Sequence, residues 1–301
     1  MKKIRLGMIG LDTSHVSHFA ALLHDQANPH HIPGARIEVA FAGGSEDFPP
    51  SINRVTKFTE ELRDQHQVAI VDCIDQLKGR CDAILIESVD GRVHRGQFEQ
   101  VAAWNVPVYI DKPFTVSSSD AKAIADLAKE HKTPVMTASA IRYAQPFRAA
   151  LGKEEGGAVT GGDFYGPMAL QEQSPGYFWY GIHCVEMLYA TLGTGCREVT
   201  ASREGAHDFL VGKWADGRIG TIRGNRTGNN GFGGVVHREK KSSVFDVSTT
   251  TTPYYASLLG EILRFFTSDE VLIPMEESLE TIAFIEAANR SCDTGETVHL
   301  V

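Results

Sequence analysis

The chain has 301 residues, of which 42% are hydrophobic and 22% charged, a length that exceeds one ordinary core and suits two domains. Its 38 acidic residues outnumber 29 basic ones, for a formal charge of −9. That balance speaks against a nucleic-acid binder or a protein held on an anionic membrane, and no apolar run approaches the ~18 residues of a membrane span. The five cysteines show no CxxC spacing, so reduced thiols of a cytoplasmic protein are expected and a zinc site built on them is not.

The opening Lys-Lys-Ile-Arg followed by a short apolar run is too brief for a signal peptide and reads as a buried first strand, Ile4–Ile9. Further strands are predicted at Ile37–Ala42, Ala83–Ile86, Val106–Ile110 and Pro134–Thr137. Between them lie amphipathic helices marked by Val16, Phe19, Leu22 and Leu23, by Phe98, Val101 and Trp104, and by Ala121, Ile124 and Ala128, the last behind an N-cap region at Ser117–Asp120. Apolar strands separated by helices indicate βαβ units and a parallel sheet covered on both faces. Beyond about Gly156 the pattern changes to alternating segments at Phe209–Trp214, Ile219–Arg223, Gly234–His237 and Ser243–Ser248, with a hairpin signal at Asp216-Gly217. Helices are predicted at Gly181–Leu192, Tyr255–Phe266 and Glu277–Ser291. The expected fold is α/β: a doubly wound parallel sheet in residues 1–139, then an α+β domain with a largely antiparallel open sheet in residues 140–301.

Val108-Tyr109-Ile110-Asp111-Lys112-Pro113-Phe114 ends an apolar strand with an acid, a lysine and a proline. A lysine there projects into the crevice where open α/β sheets bind ligands. In this context the chain resembles the family of glucose-fructose oxidoreductase, inositol dehydrogenase and MocA, which carries Glu-Lys-Pro at this place; Asp111 stands for the glutamate. Ala83–His94 resembles that family's fourth strand and following loop, Ser139–Tyr143 its domain crossover, and Tyr180–Leu188 the helix that presents its catalytic histidine.

The resemblance implies a Rossmann-type first domain, an NAD or NADP cofactor, and reversible hydride transfer between nicotinamide and a carbinol of a sugar, cyclitol or related polyol. It implies His183 as acid/base, a task suited to an imidazole whose ordinary pKa is ~6.5, and Lys112 as the group that orients substrate and steadies the alkoxide. Arg142, Tyr177, Trp179 and Tyr180 are the expected substrate contacts. Where many members carry an aspartate four residues before the catalytic histidine, this chain has Trp179; Glu172 and Glu186 are the candidate substitutes. His94 is expected to be structural or cofactor-adjacent.

The first turn of a Rossmann domain uses Gly-x-Gly-x-x-Gly so that backbone can approach a pyrophosphate at a helix N-terminus. Here the segment is Gly10-Leu11-Asp12-Thr13-Ser14-His15, with Asp12 at the second glycine's place and His15 at the third's. Asp12 is expected to repel phosphate, or with Thr13 to cap the helix and fill its anion site. Thr13, Ser14 and His15 are alternative phosphate donors. Ala42-Gly43-Gly44-Ser45 offers no acid for a ribose diol, Glu46 and Asp47 come slightly late, and no arginine is adjacent. The expected cofactor contacts are therefore Gly10, Asp12, Thr13, Ser14, His15, Gly43, Ser45, Glu87, Asp111 and Lys112.

Among the remaining candidates, His15 and His18 stand one helical turn apart but no paired carboxylate follows at ligand spacing, so no metal is expected. Arg92, Arg95, Arg142 and Arg148 could meet an acidic substrate, Arg142 alone at the crossover. Two readings stay open: an NAD(P)-dependent dehydrogenase, or a non-catalytic ligand-binding or regulatory protein on the same scaffold that has lost the dinucleotide. An open antiparallel sheet predicts burial against another copy, as a homodimer or homotetramer.

Overall fold

The computed structural model describes residues 3–152, 154–268 and 270–300, which form two compact units. The first comprises residues 1–115, 119–138 and 255–275; the second comprises 116–118, 139–254 and 276–301. The sequence placed all of 140–301 in the second domain. The segment 255–275 instead returns to the first unit, where the Tyr255 ring stacks on His18 at 4.7 Å and 17° and tilts against His15 at 4.7 Å.

In the first unit the elements run β1 (Ile4–Ile9), α1 (Ser14–His24), β2 (Ala35–Phe41), α2 (Pro49–His66), β3 (Ala69–Val71), β4 (Ala83–Ile86), α3 (His94–Val101), β5 (Val108–Asp111), α4 (Ser118–His131) and β6 (Val135–Ala138). The six strands are parallel in the order β3-β2-β1-β4-β5-β6. Strand β4 shows why: Ala83, Ile84, Leu85 and Ile86 are all buried, the mark of a strand covered on both faces. The order reverses between β1 and β4, and ligands of such sheets bind beyond the strand ends at that switch. Helix α2 escaped the sequence reading because it is mostly polar; it starts on Pro49-Pro50 and buries only Ser51, Val55, Phe58 and Leu62.

The second unit contains α5 (Gln145–Leu151), β7 (Val159–Pro167), α6 (Gly181–Leu192), β8 (Cys196–Glu204), β9 (His207–Trp214), β10 (Ile219–Asn225), β11 (Gly233–Arg238) and β12 (Ser242–Asp246). After α7 (Tyr254–Thr267), which lies in the first unit from Tyr255 onward, come α8 (Met275–Thr294) and β13 (Val298–His299). Seven strands form one sheet in the order β12-β11-β7-β10-β9-β8-β13, antiparallel except for the parallel pair β7–β10. The predicted Asp216-Gly217 hairpin joins β9 to β10, with Gly217 at φ +92, where a Cβ would be strained. Helix α6 packs on β7 and β10, and Ile222 and Phe164 are buried on that side. No helix among the described residues is long and apolar enough to cross a membrane.

Candidate active site

Three loops converge at the switch point of the first sheet. Backbone pairing continues past the strands, with Gly10 N–H donating to Phe41 O at 3.0 Å and Leu11 N–H to Ala42 O at 2.8 Å. Gly10 sits at φ +87, and a Cβ there would lie 2.2 Å from Ser88 Oγ, so only glycine allows the loop after β1 to press on the loop after β4. Gly43, also left-handed at φ +65, backs onto Gly10 from the β2 side.

Asp12 is 1% exposed and its carboxylate is bonded inward. Its Oδ2 accepts from Ser51 Oγ at 2.5 Å and its Oδ1 from Val89 N–H at 2.8 Å, while Ser51 Oγ in turn accepts from Ser45 N–H at 2.8 Å. The carboxylate thus ties together the loops after β1, β2 and β4. Burial raises its pKa and the Ser51 and Val89 hydrogen bonds oppose that rise. The expectation that Asp12 or Thr13 caps α1 is corrected: Thr13 is the N-cap and makes no side-chain cap bond. The positive end of α1, equivalent to roughly half a charge, is left for an anion. Thr13 is buried and Ser14 half-buried on this turn.

The His15 side chain is likewise turned inward. Its side chain turns beneath the ends of β4 and β5, with Nδ1 3.0 Å from Asp111 Oδ2 and 3.6 Å from Glu87 Oε2. The three residues are 5%, 1% and 0% exposed. Burial works against a charged His15, yet Asp111 and Glu87 lift its pKa to about 9. Burial pushes the Glu87 carboxyl up, whereas His15 and then Lys112 hold Asp111 below its ordinary range against the same penalty. Lys112 follows at once through a cis bond to Pro113; burial lowers its pKa and Asp111 resists. Sequence reasoning did not find this cluster, because the carboxylates for His15 come from β4 and β5 rather than from helical spacing.

At the β2 end, Ser45 is nearly buried and bonds toward Asp90. The sequence showed no arginine here, but Arg92 arrives from the loop after β4, bonding Asp47 and Asp90 at 2.8 Å each. Arg92 is thereby neutralised by two acids. His94 is a structural group: fully buried, it bonds Ser88 O at 2.7 Å, Pro113 O at 3.0 Å and Phe114 O at 3.1 Å.

In the second unit, the half-buried His183 lies in the first turn of α6 with Nδ1 2.6 Å from Ser139 Oγ. Ser139 Oγ accepts from Ile141 N–H at 3.2 Å, which leaves it a proton to give and a lone pair to offer. Either imidazole tautomer is therefore supported, as a proton-transferring group requires. The rings of Tyr180 and Phe232 meet His183 edge-on at 5.7 and 5.4 Å, and Trp179 packs on Tyr180 at 6.2 Å.

Two expected substrate contacts are corrected. Tyr177 is fully buried, its hydroxyl donating to Asp208 at 3.1 Å and its ring lying under Arg203. Arg142 is 8% exposed and spends its charge on Glu186 at 3.2 Å and Glu277 at 2.5 Å. Glu186 is therefore also a core group, and burial raises its pKa to about 7 against the pull of Arg142. Glu172 is exposed and lines a cavity of about 360 Å³ with Leu170, Pro175, Arg203, Asn289 and Asp293.

Solved structures with the same fold include GenD2 from gentamicin A biosynthesis, in complex with NAD, with TM-score 0.78 at 16% identity over 100% of this chain and 97% of that one. A myo-inositol dehydrogenase from Corynebacterium glutamicum gives TM-score 0.78 at 15% identity, covering 99% of each chain. In sequence, 78 residues are 37% identical to D-apiose dehydrogenase from Rhizobium rhizogenes, a stretch that spans 26% of this chain and 22% of that relative. The unit with the β1–β4 switch, the open end of α1 and the Asp-Lys-Pro turn is also the part that a family profile matches, over residues 4–139. That profile is the Gfo/Idh/MocA model, described as an oxidoreductase family with an NAD-binding Rossmann fold, and the first part of the chain is similar to it.

Proposed function

We propose that the protein is an NAD(P)-dependent dehydrogenase that oxidises a carbinol of a sugar, cyclitol or related polyol and reduces the matching carbonyl. The observation that carries this reading is the inward turn of Asp12, which keeps the amino end of α1 open at the switch point of a six-stranded sheet. The residues there fit a dinucleotide: backbone N–H groups and the helix dipole for the pyrophosphate, Gly10 and Gly43 for close approach, and Ser45 at the β2 end. When bound, the nicotinamide accepts or returns the hydride.

The chain's own residues supply the proton and the charge. His183, held at Nδ1 by Ser139, takes the hydroxyl proton at Nε2 and returns it in the reverse direction. Lys112, buried at the end of β5, stabilises the negative oxygen. Trp179 and Tyr180 offer aromatic faces to a sugar ring. The protein is read as cytoplasmic and as a homodimer or homotetramer. The register of the second sheet puts Phe209, Ile219 and Val244, respectively 45%, 50% and 76% exposed, on one open face suited to a second copy. Sedimentation at micromolar concentration tests that assembly, and a monomer would contradict it.

The non-catalytic reading rested on Asp12, on the absent ribose acid and on Trp179; of these, the Asp12 carboxylate is bonded inward. Turnover assays with NAD+ and NADP+ over a panel of polyols and sugars test the proposal. Activity lost in Lys112→Ala and in His183→Ala supports it. A folded protein that turns over none of the panel while Lys112→Ala leaves its ligand affinities unchanged contradicts it.

A further inference from the structure

The cluster under the ends of β4 and β5 has a defect that the dehydrogenase reading does not use. Glu87 is 0% exposed, and among the described residues neither of its carboxylate oxygens has a hydrogen-bond partner. Its nearest cationic neighbour, His15 Nδ1, lies at 3.6 Å, beyond hydrogen-bond reach. Asp111 Oδ2 and His15 Nδ1 approach to 3.0 Å but without the alignment of a hydrogen bond, so both also count as unsatisfied. Buried polar atoms are almost always paired, and leaving them unpaired costs on the order of 1–3 kcal/mol each. Protonating Glu87 removes its charge but still leaves an O–H and a carbonyl without partners.

A cation between these atoms takes up three of the four, one from each residue. One ligand atom from each of His15, Glu87 and Asp111 lies within 4.8 Å of the other two. Zinc holds nitrogen and carboxylate ligands at about 2.0–2.2 Å, which places tetrahedral neighbours about 3.3–3.6 Å apart. The observed separations of 3.0 and 3.6 Å from His15 Nδ1 bracket that spacing. Asp111 is further oriented by Tyr109, whose hydroxyl stands 3.3 Å from Oδ1, the kind of outer contact that aims a carboxylate ligand.

We infer that His15, Glu87 and Asp111 form a binding site for one divalent transition-metal ion, zinc by its donor set, with three protein ligands and a fourth position open. One imidazole with two carboxylates is a nitrogen–oxygen set that suits zinc, with manganese the nearest competitor. The site is independent of the dehydrogenase assignment, because its evidence is the unsatisfied atoms and not the reaction.

Metal-stripped full-length protein titrated with Zn2+ against a chromophoric chelator tests it. The expected result is one equivalent per chain, with affinity at least roughly tenfold lower in Glu87→Gln and in Asp111→Asn. Co2+ should give the visible d–d absorption of a tetrahedral site in the wild type and not in Glu87→Gln. Should the variants fail to fold, anomalous scattering at the zinc edge from wild-type crystals decides, with the ion expected between the three side chains. A folded wild type that takes up no Zn2+, Co2+ or Mn2+ overturns the inference. So does equal affinity in Glu87→Gln, which would place the ion on other histidines.

Discussion

The crevice of the first unit and the α6 histidine of the second unit treat polar groups in opposite ways. In the crevice, Asp12, His15, Glu87 and Asp111 are almost wholly buried and turned toward one another or toward backbone. At α6, His183 stays half-buried with one nitrogen anchored by Ser139 and aromatic rings around it. The first arrangement fixes three loops and leaves backbone to receive a ligand. The second holds a side chain able to exchange a proton.

Substitutions can break this contrast, and the largest effect is expected away from both sites. Arg142→Ala should cost about 3–5 kcal/mol by stranding Glu186 and Glu277 in the core, read as a lower denaturation midpoint. An unchanged midpoint would return Arg142 to the list of substrate contacts. Lys112→Ala should lower kcat by roughly 100-fold or more while the fold, by circular dichroism, is retained.

Asp12 sharpens the contrast further. Asp12→Ala should destabilise the first unit by about 1–3 kcal/mol, since Val89 N–H and Ser51 lose their acceptor. Asp12→Gly, which restores the second glycine of the pattern, should behave alike and bind the dinucleotide no more tightly. A tenfold gain in affinity on Asp12→Gly would mean that the carboxylate does repel phosphate.

The smallest effect concerns pH. His24 Nε2 accepts from Ile37 N–H at 3.0 Å, so its Nδ1 carries the proton and points to His66 O at 3.2 Å. Burial, with Arg36 adding, lowers its pKa from the ordinary 6.5 to about 4. Between those values the unfolded chain binds a proton that the folded one refuses, so stability falls as pH drops from about 6.5 toward 4. His24→Gln should flatten that part of the melting-temperature profile. An unaltered slope would assign the acid sensitivity to other groups.

What the sequence revealed follows from how local each signal is. The strands of the first sheet were legible because a doubly covered strand is a run of apolar residues, and β1 and β4 lie where they were expected. Helix α2 and the short β3 were not, since one is polar on most of its surface and the other has three residues. At the site, the strand end that carries Lys112 and the helix that carries His183 were legible. Asp12 misled, because a sequence gives the position of a carboxylate but not its direction, and its donors come from residues 51 and 89. His15 misled for the same reason: its partners lie on β4 and β5, beyond the reach of any helical spacing.

The central claim is that the open end of α1 receives a dinucleotide despite Asp12. Calorimetric titration of the folded wild type with NAD+, NADH, NADP+ and NADPH, alongside Asp12→Asn, measures it directly. The account predicts saturable binding of at least one of these pairs, and Asp12→Asn affinity within a few-fold of wild type. No binding of any of the four by a well-folded protein would contradict it.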